Sequence, residues 1–197
     1  MSTRLKLCFV APSGSGKTTA SALLIDLFCE WGLTVERLKL AMPLYALQEK
    51  IYQECGIDGI GDRQNHELLE NLATQMRKIH PHSIIDNFIK RLSSCKSDIV
   101  INDDLRDWAV DYPVMRAAGF RFVKVLTSEA VRATRLDQRN DLNVIVNSPL
   151  DAQLSNIGGD YVVLNDGNLQ EFQMQLQAVA EDLRSLLMPN FGMIHAS

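Results

Sequence analysis

The chain has 197 residues, 46% of them hydrophobic, and a formal net charge of −4. That is enough apolar material for a buried core, and one domain over 1–197 is the expectation. Its apolar runs are too short to span a membrane, no charged-then-apolar leader opens it, and its negative balance disfavours stable nucleic-acid binding.

The first element decides the rest. Leu5-Lys-Leu-Cys-Phe-Val-Ala-Pro-Ser-Gly-Ser-Gly-Lys-Thr-Thr19 is a short apolar strand, a Gly/Ser turn and the start of a helix. Such a turn lines a concavity with backbone N–H groups, and the helix N-terminus behind it adds partial positive charge. It fits G-x-x-x-x-G-K-[ST] except that the first glycine is Ala11. Ser13, Gly14, Ser15, Gly16, Lys17, Thr18 and Thr19 are therefore candidates for binding ATP phosphates. Lys17 can reach the β- and γ-phosphates, and the Thr18 hydroxyl can ligate Mg²⁺.

A helix is predicted over 18–30, with Ala22, Leu23, Leu27 and Phe28 facing inward and Gly32 as its stop. A second strand follows over 33–40, then a helix over 44–54 with Pro43 near its start. The glycine-rich loop 55–62 leads to a helix over 64–79, where Leu68, Leu69, Leu72 and Met76 recur at helical spacing. Pro81 breaks it before a helix over 83–92. The run 98–104 is a third strand whose apolar centre ends in Asn102, Asp103 and Asp104, as a buried parallel strand does where it emerges at a site. A helix over 112–118, stopped by Gly119, precedes a fourth strand over 120–126. Ser128 is placed to cap a helix running to Leu136. The stretch 137–157 has no sustained period, 161–164 is a fifth strand, and 165–167 is a turn. A closing helix runs from Leu169 through Leu186, and 189–197 reads as a loose tail.

Alternating strands and helices predict a three-layer α/β/α fold on a five-stranded parallel sheet. The helical insertion 43–93 and the region 128–157 are the parts able to close over ligands. Asp103 and Asp104 are the carboxylates available for Mg²⁺. Arg132, Arg135 and Arg139 share a helix face and can form a lid on the transferred phosphoryl group or simply a solvated surface. Arg63, Arg77 and Arg106 can grip an anionic acceptor, with surface ion pairing as the alternative. His80 and His82 lack a third ligand at sensible spacing, and Cys8, Cys29, Cys55 and Cys95 lack C-x-x-C pairs. Neither set indicates zinc, and reduced thiols suit a cytoplasmic protein. Tyr45 and Phe88 can stack on an acceptor base, with core packing the favoured role, and Trp31 and Trp108 read as structural.

Several weaker motifs stand in a meaningful order: Leu40-Ala-Met-Pro-Leu44, Leu72-Ala-Thr-Gln-Met-Arg77, Ile101-Asn-Asp-Asp-Leu-Arg106 and Leu164-Asn-Asp-Gly167. With the phosphate loop they resemble the nucleoside and deoxynucleoside monophosphate kinases, particularly the phage and bacterial deoxynucleoside monophosphate kinase type, over roughly 5–187. The resemblance implies ATP-dependent, Mg²⁺-assisted transfer of the γ-phosphoryl group to a (deoxy)nucleoside monophosphate. It favours Asp104 as the metal carboxylate and puts Asn165 and Gly167 near the ATP base. The family often has a glutamate after Asp-x-Arg; only Asp111 or Glu129 stands near that place. A kinase of another small phosphorylated metabolite or modified nucleotide, a regulatory ATPase and a polynucleotide kinase are the competing readings. A homodimer is compatible with the sequence.

Overall fold

Six of the residues that open the described chain, Leu5–Val10, form β1, and five of these are buried. The computed structural model describes residues 4–57, 63–138 and 152–187. β1 lies at the centre of a five-stranded sheet with β2 (Val35–Arg37), β3 (Ile99–Asn102), β4 (Arg121–Leu126) and β5 (Tyr161–Leu164). The spatial order is β2-β3-β1-β4-β5 and every pairing is parallel. Leu5 stands opposite Ile99 and Cys8 opposite Asn102, while Phe9 faces Val123. β1 thus has β3 on one side and β4 on the other. A sheet wound outward in both directions from one strand opens a crevice at its carboxyl edge, where the turn after Val10 and the end of β3 both emerge.

Helices cover both faces. On one lie α1 (Lys17–Glu30) and the closing helix, here α7 (Leu169–Leu187), packed through Leu24, Phe28, Phe172 and Leu176 onto Leu7, Phe9, Ile101 and Val163. On the other lie α2 (Met42–Glu54), α3 (His66–Ile79), α4 (Ser83–Ser94) and α5 (Asp111–Ala117), where Leu44, Leu69, Ile85, Phe88 and Met115 meet Val10, Val100 and Phe122. Each fully buried Phe or Leu in these layers adds about 1.5–3 kcal/mol of transfer free energy. A further helix, α6 (Glu129–Asp137), follows β4. No helix among the described residues is long and apolar enough to cross a membrane.

Several local expectations shift. β2 keeps only three residues; Leu38 still donates its N–H to the Ile101 carbonyl (2.9 Å), after which the chain turns to bury Leu38 and Leu40. The buried residues of α1 are Ala20, Ser21, Leu24 and Phe28, with Ala22 exposed. That helix is apolar nearly all round, so periodicity alone did not single out its inner face. Ser128 occupies the N-cap position of α6, but its hydroxyl makes no capping bond; its N–H donates to Asp166 Oδ1 (2.6 Å) instead. α3 is capped by Asn65, whose Oδ1 accepts from Leu68 N (3.1 Å). Gly32 and Gly119 stop their helices in the left-handed conformation, as expected. Most of the loop 55–62, part of the 128–157 region and the tail 189–197 lie outside the described residues.

Candidate active site

The turn between β1 and α1 is shaped by two glycines with positive φ, Gly14 at 81° and Gly16 at 93°. A Cβ at Gly14 would lie 2.9 Å from the Arg132 carbonyl oxygen, and one at Gly16 would fall onto the side-chain nitrogen of Asn165. Close approach is therefore as much a reason for these glycines as torsion. Ala11 is buried in the layer below α1, where a methyl group fits the turn. Lys17 Nζ donates to the carbonyls of Ala11 (2.6 Å) and Pro12 (3.0 Å), folding its ammonium back across the loop. Thr18 and Thr19 are exposed at the mouth.

Asn165, at the end of β5, ties this loop to the far side of the sheet. Its backbone N–H donates to Leu126 O (2.8 Å) and its Nδ2 to Ser15 O (2.8 Å), while its Oδ1 accepts from Arg135 (3.4 Å). Thr127 also donates to Ser15 O, and Arg132 Nε donates to Ser13 O (3.0 Å). Two of the three lid candidates thus converge on the phosphate loop from α6; Arg139 lies outside the described residues. A recess of about 200 Å³ opens beside Gly16, Arg135, Asn165, Gly167 and Leu169.

The two carboxylates after β3 have different surroundings. Asp104 accepts from Leu40 N (2.8 Å), Ala41 N (3.0 Å) and Asn102 Nδ2 (2.6 Å). Burial raises its pKa above the ordinary carboxylate value, with the Ala41 and Leu40 N–H groups opposing that shift. Asp103 is 3% exposed, and neither of its oxygens has a hydrogen-bond partner; Lys39 Nζ stands 3.6 Å from one and Arg37 Nε 3.9 Å from the other. Cys8, beneath them, is held as a thiol by burial and by Asp104 and Asp103.

A cavity of about 730 Å³ starts at Ser13–Thr19 and continues between α2, α3 and the segment after β3. Lys39, Tyr45, His66, Leu69, Glu70 and Ala73 line it, with Arg77, Arg106, Arg135 and the carboxylates Asp103, Asp107 and Asp111. Arg106 donates to Ser13 Oγ (3.1 Å) and stands 3.9 Å from Glu70. Arg77 pairs with Asp107 (3.1 Å) and Asp111 (2.5 Å), so ion pairing engages its guanidinium at the cavity wall. Arg63 is exposed and is not part of that wall. Gln48 fixes the start of α3 by donating to Arg63 O (3.0 Å) and accepting from Asn65 N (2.8 Å).

Among the described residues no three or more His, Cys, Asp or Glu side chains gather to hold a metal. His80 pairs with Asp86 (2.8 Å) on the surface. A phosphate-loop site does not need such a cluster, since one hydroxyl, one carboxylate, phosphate oxygens and water suffice for Mg²⁺. Thr18 and Asp103 fit that requirement, because the Asp103 oxygens are buried without a hydrogen-bond donor, whereas those of Asp104 are taken.

No protein-family model and no curated protein sequence matches the chain. Solved structures do. A shikimate kinase from Acinetobacter baumannii, in complex with shikimate, aligns with 93% of this chain and 95% of its own at TM-score 0.53 and 16% identity. A tunicamycin resistance protein from Deinococcus radiodurans aligns with 92% and 96% at TM-score 0.52 and 14% identity. The chain shares with these structures the three-layer α/β/α P-loop fold on a five-stranded parallel sheet. On that scaffold the P-loop, the end of β3 and α6 frame one cavity, as their order in the sequence implies. The sequence did not single out Lys39 as a cavity residue and favoured packing over base stacking for Tyr45, which lines the cavity. Lys39 carried a signal, a cation two residues beyond β2; its 3.6 Å approach to Asp103 could not be read from the sequence.

Proposed function

We propose that the chain is an ATP-dependent kinase that transfers a γ-phosphoryl group to a small acceptor, with a (deoxy)nucleoside monophosphate as the first acceptor to test. The observation that carries this reading is the continuity of one cavity from the P-loop to the helices α2 and α3. Donor and acceptor can meet there without crossing solvent, and phosphoryl transfer needs alignment and charge neutralisation above all.

In this reading the P-loop N–H groups hold the ATP phosphates, and Lys17 exchanges the Ala11 and Pro12 carbonyls for phosphate oxygens. The recess beside Asn165 and Gly167 takes the base. Thr18 and Asp103 would hold Mg²⁺, which supplies further charge neutralisation at the β- and γ-phosphates. Asp103 replaces Asp104 in that role, because the Asp104 oxygens already accept from Leu40, Ala41 and Asn102. Asp104 then serves by fixing the start of α2. Arg132 and Arg135 approach from α6, where they can meet charge developing on the phosphoryl group. Tyr45, Leu69 and Ala73 offer an apolar surface for a flat base, and Arg106 reaches the P-loop from the acceptor side.

One observation favours a second reading, a kinase of another small metabolite: Arg77 is engaged by two carboxylates, which lowers the positive charge available for an acceptor phosphate. A coupled ADP-release assay over all ribo- and deoxynucleoside monophosphates, alongside sugar acids and shikimate, separates them. Turnover with a nucleotide supports the first reading, and turnover confined to the other acceptors replaces it with the second. Steady ATP hydrolysis that no acceptor stimulates would instead indicate a regulatory ATPase.

A further inference from the structure

Asp111 stands out among the cavity residues. It is 3% exposed and belongs to the cavity wall, and its Oδ1 is buried with no hydrogen-bond partner. Its other oxygen is held by Arg77 at 2.5 Å. Arg77 Nε in turn pairs with Asp107 at 3.1 Å, and Asp107 Oδ1 accepts from the N–H groups of Ala109 and Val110 (both 2.9 Å). The carboxylate is thus braced through one oxygen and left buried without a donor at the other. An unpaired buried acceptor is costly, and such a cost is commonly recovered when a ligand supplies the missing donor.

Charge points the same way. Arg77 contributes one positive charge against two carboxylates, so this part of the wall repels a second anion. Burial raises the pKa of Asp111 to about 6, with Arg77 opposing the shift, which leaves the group mostly ionised at neutral pH. What fits there is a group with an N–H or O–H to give.

We propose that Asp111 is a specificity-determining residue of the acceptor chamber, with Oδ1 accepting a hydrogen bond from an amino or hydroxyl group of the acceptor while Arg77 holds the carboxylate in place. The proposal rests on the kinase reading for the word acceptor, but its chemistry is that of binding. Two sources can supply such a donor: the exocyclic amine of a nucleobase, or the 2′-hydroxyl of a ribose.

The test uses matched acceptor pairs: dCMP against dUMP and AMP against IMP, where a carbonyl replaces the exocyclic amine and a ring N–H is gained beside it, and CMP against dCMP and AMP against dAMP, which differ by the ribose hydroxyl alone. Binding is measured by calorimetry with ATP analogue present, and turnover by ADP release, for the native protein, Asp111→Ala and Asp111→Asn. The native protein should prefer the donor-bearing member of one set by roughly 10- to 100-fold, the range of a hydrogen bond to a charged group. Asp111→Ala should abolish most of that preference, Asp111→Asn should retain part of it through its carbonyl oxygen, and ATP affinity should change less than about twofold in both. The preference is a ratio within each protein, so altered stability cancels. Preference in binding without phosphorylation would sustain this inference and overturn the kinase reading. Phosphorylation with a preference unchanged in Asp111→Ala, or with no preference in any pair, would overturn this inference alone. If no member of any pair binds the native protein, this inference and the nucleotide-acceptor reading both fall.

Discussion

Gly16→Ala tests how tightly the P-loop is coupled to the end of β5. At φ 93° the alanine must adopt a left-handed conformation, which costs about 1–2 kcal/mol. Its Cβ would also occupy the position of Asn165 Nδ2, forcing that amide off the Ser15 carbonyl it now reaches at 2.8 Å. Asn165 is 6% exposed, so the displaced groups find no water, and an unsatisfied buried pair adds about 1–3 kcal/mol. The total is about 2–5 kcal/mol. Gly32 supplies the control: its φ is 78°, yet a Cβ there meets nothing within 4 Å, so Gly32→Ala should carry only the torsional part. Urea unfolding of both variants, compared at equal m-values, measures the difference. Adding Asn165→Ala to Gly16→Ala should cost less than Asn165→Ala alone, because the contact is already lost. ATP affinity should fall in Gly16→Ala and not in Gly32→Ala. Equal destabilisation by the two glycine substitutions would refute the coupling.

Lys17→Ala should fold normally and lose roughly 100-fold in turnover, the effect of about 3 kcal/mol of transition-state stabilisation, as single-turnover assays would register. Asp103→Asn should raise the Mg²⁺ concentration needed for activity, whereas Asp104→Asn should loosen α2 and raise acceptor KM with an unshifted Mg²⁺ titration; the reverse pattern would return the metal to Asp104. Asp111 has a folded pKa of about 6 against an ordinary 3.8, so its ionisation disfavours the folded state and the native protein loses stability as pH rises from about 4 to 6. Relative to Asp111→Asn that loss should approach ~3 kcal/mol by pH 7, measured as the gap between two pH-stability curves. Arg135→Ala should lower kcat more than it weakens ATP binding, and equal losses in both would make Arg135 a ground-state contact only.

The P-loop was legible because its motif is local: torsion at Gly14 and Gly16 and the spacing to Lys17 specify the backbone without reference to distant residues. The sheet was legible for a related reason, since 99–101 and 7–10 are continuous apolar runs of the kind a doubly covered parallel strand carries. The choice between Asp103 and Asp104 was not legible. Successive side chains of an extended segment point to opposite sides, and which side held backbone donors depended on where residues 40 and 41 came to rest. Arg77 looked like an anion clamp for the same reason: its partners Asp107 and Asp111 lie 30 and 34 positions later in the sequence, on another element. In α1, a nearly uniform apolar surface hid the inner face that sheet packing then selected.

The grip of Asp104 on α2 is made to main-chain N–H groups, not to side chains. Any non-proline residues at 40 and 41 would satisfy it equally well. The 42–94 helices leave the sheet after β2 and return just before β3, and near their start this grip fastens them to the carboxyl edge of the sheet. Their cavity-facing residues are therefore free to change through descent while the nucleotide half keeps its register. On the proposed function, a protein built this way can acquire a new acceptor by drift in α2 and α3, without renegotiating how ATP is held. Exchange of the whole 42–94 segment between distant members of the fold would be a practical route to new substrate ranges.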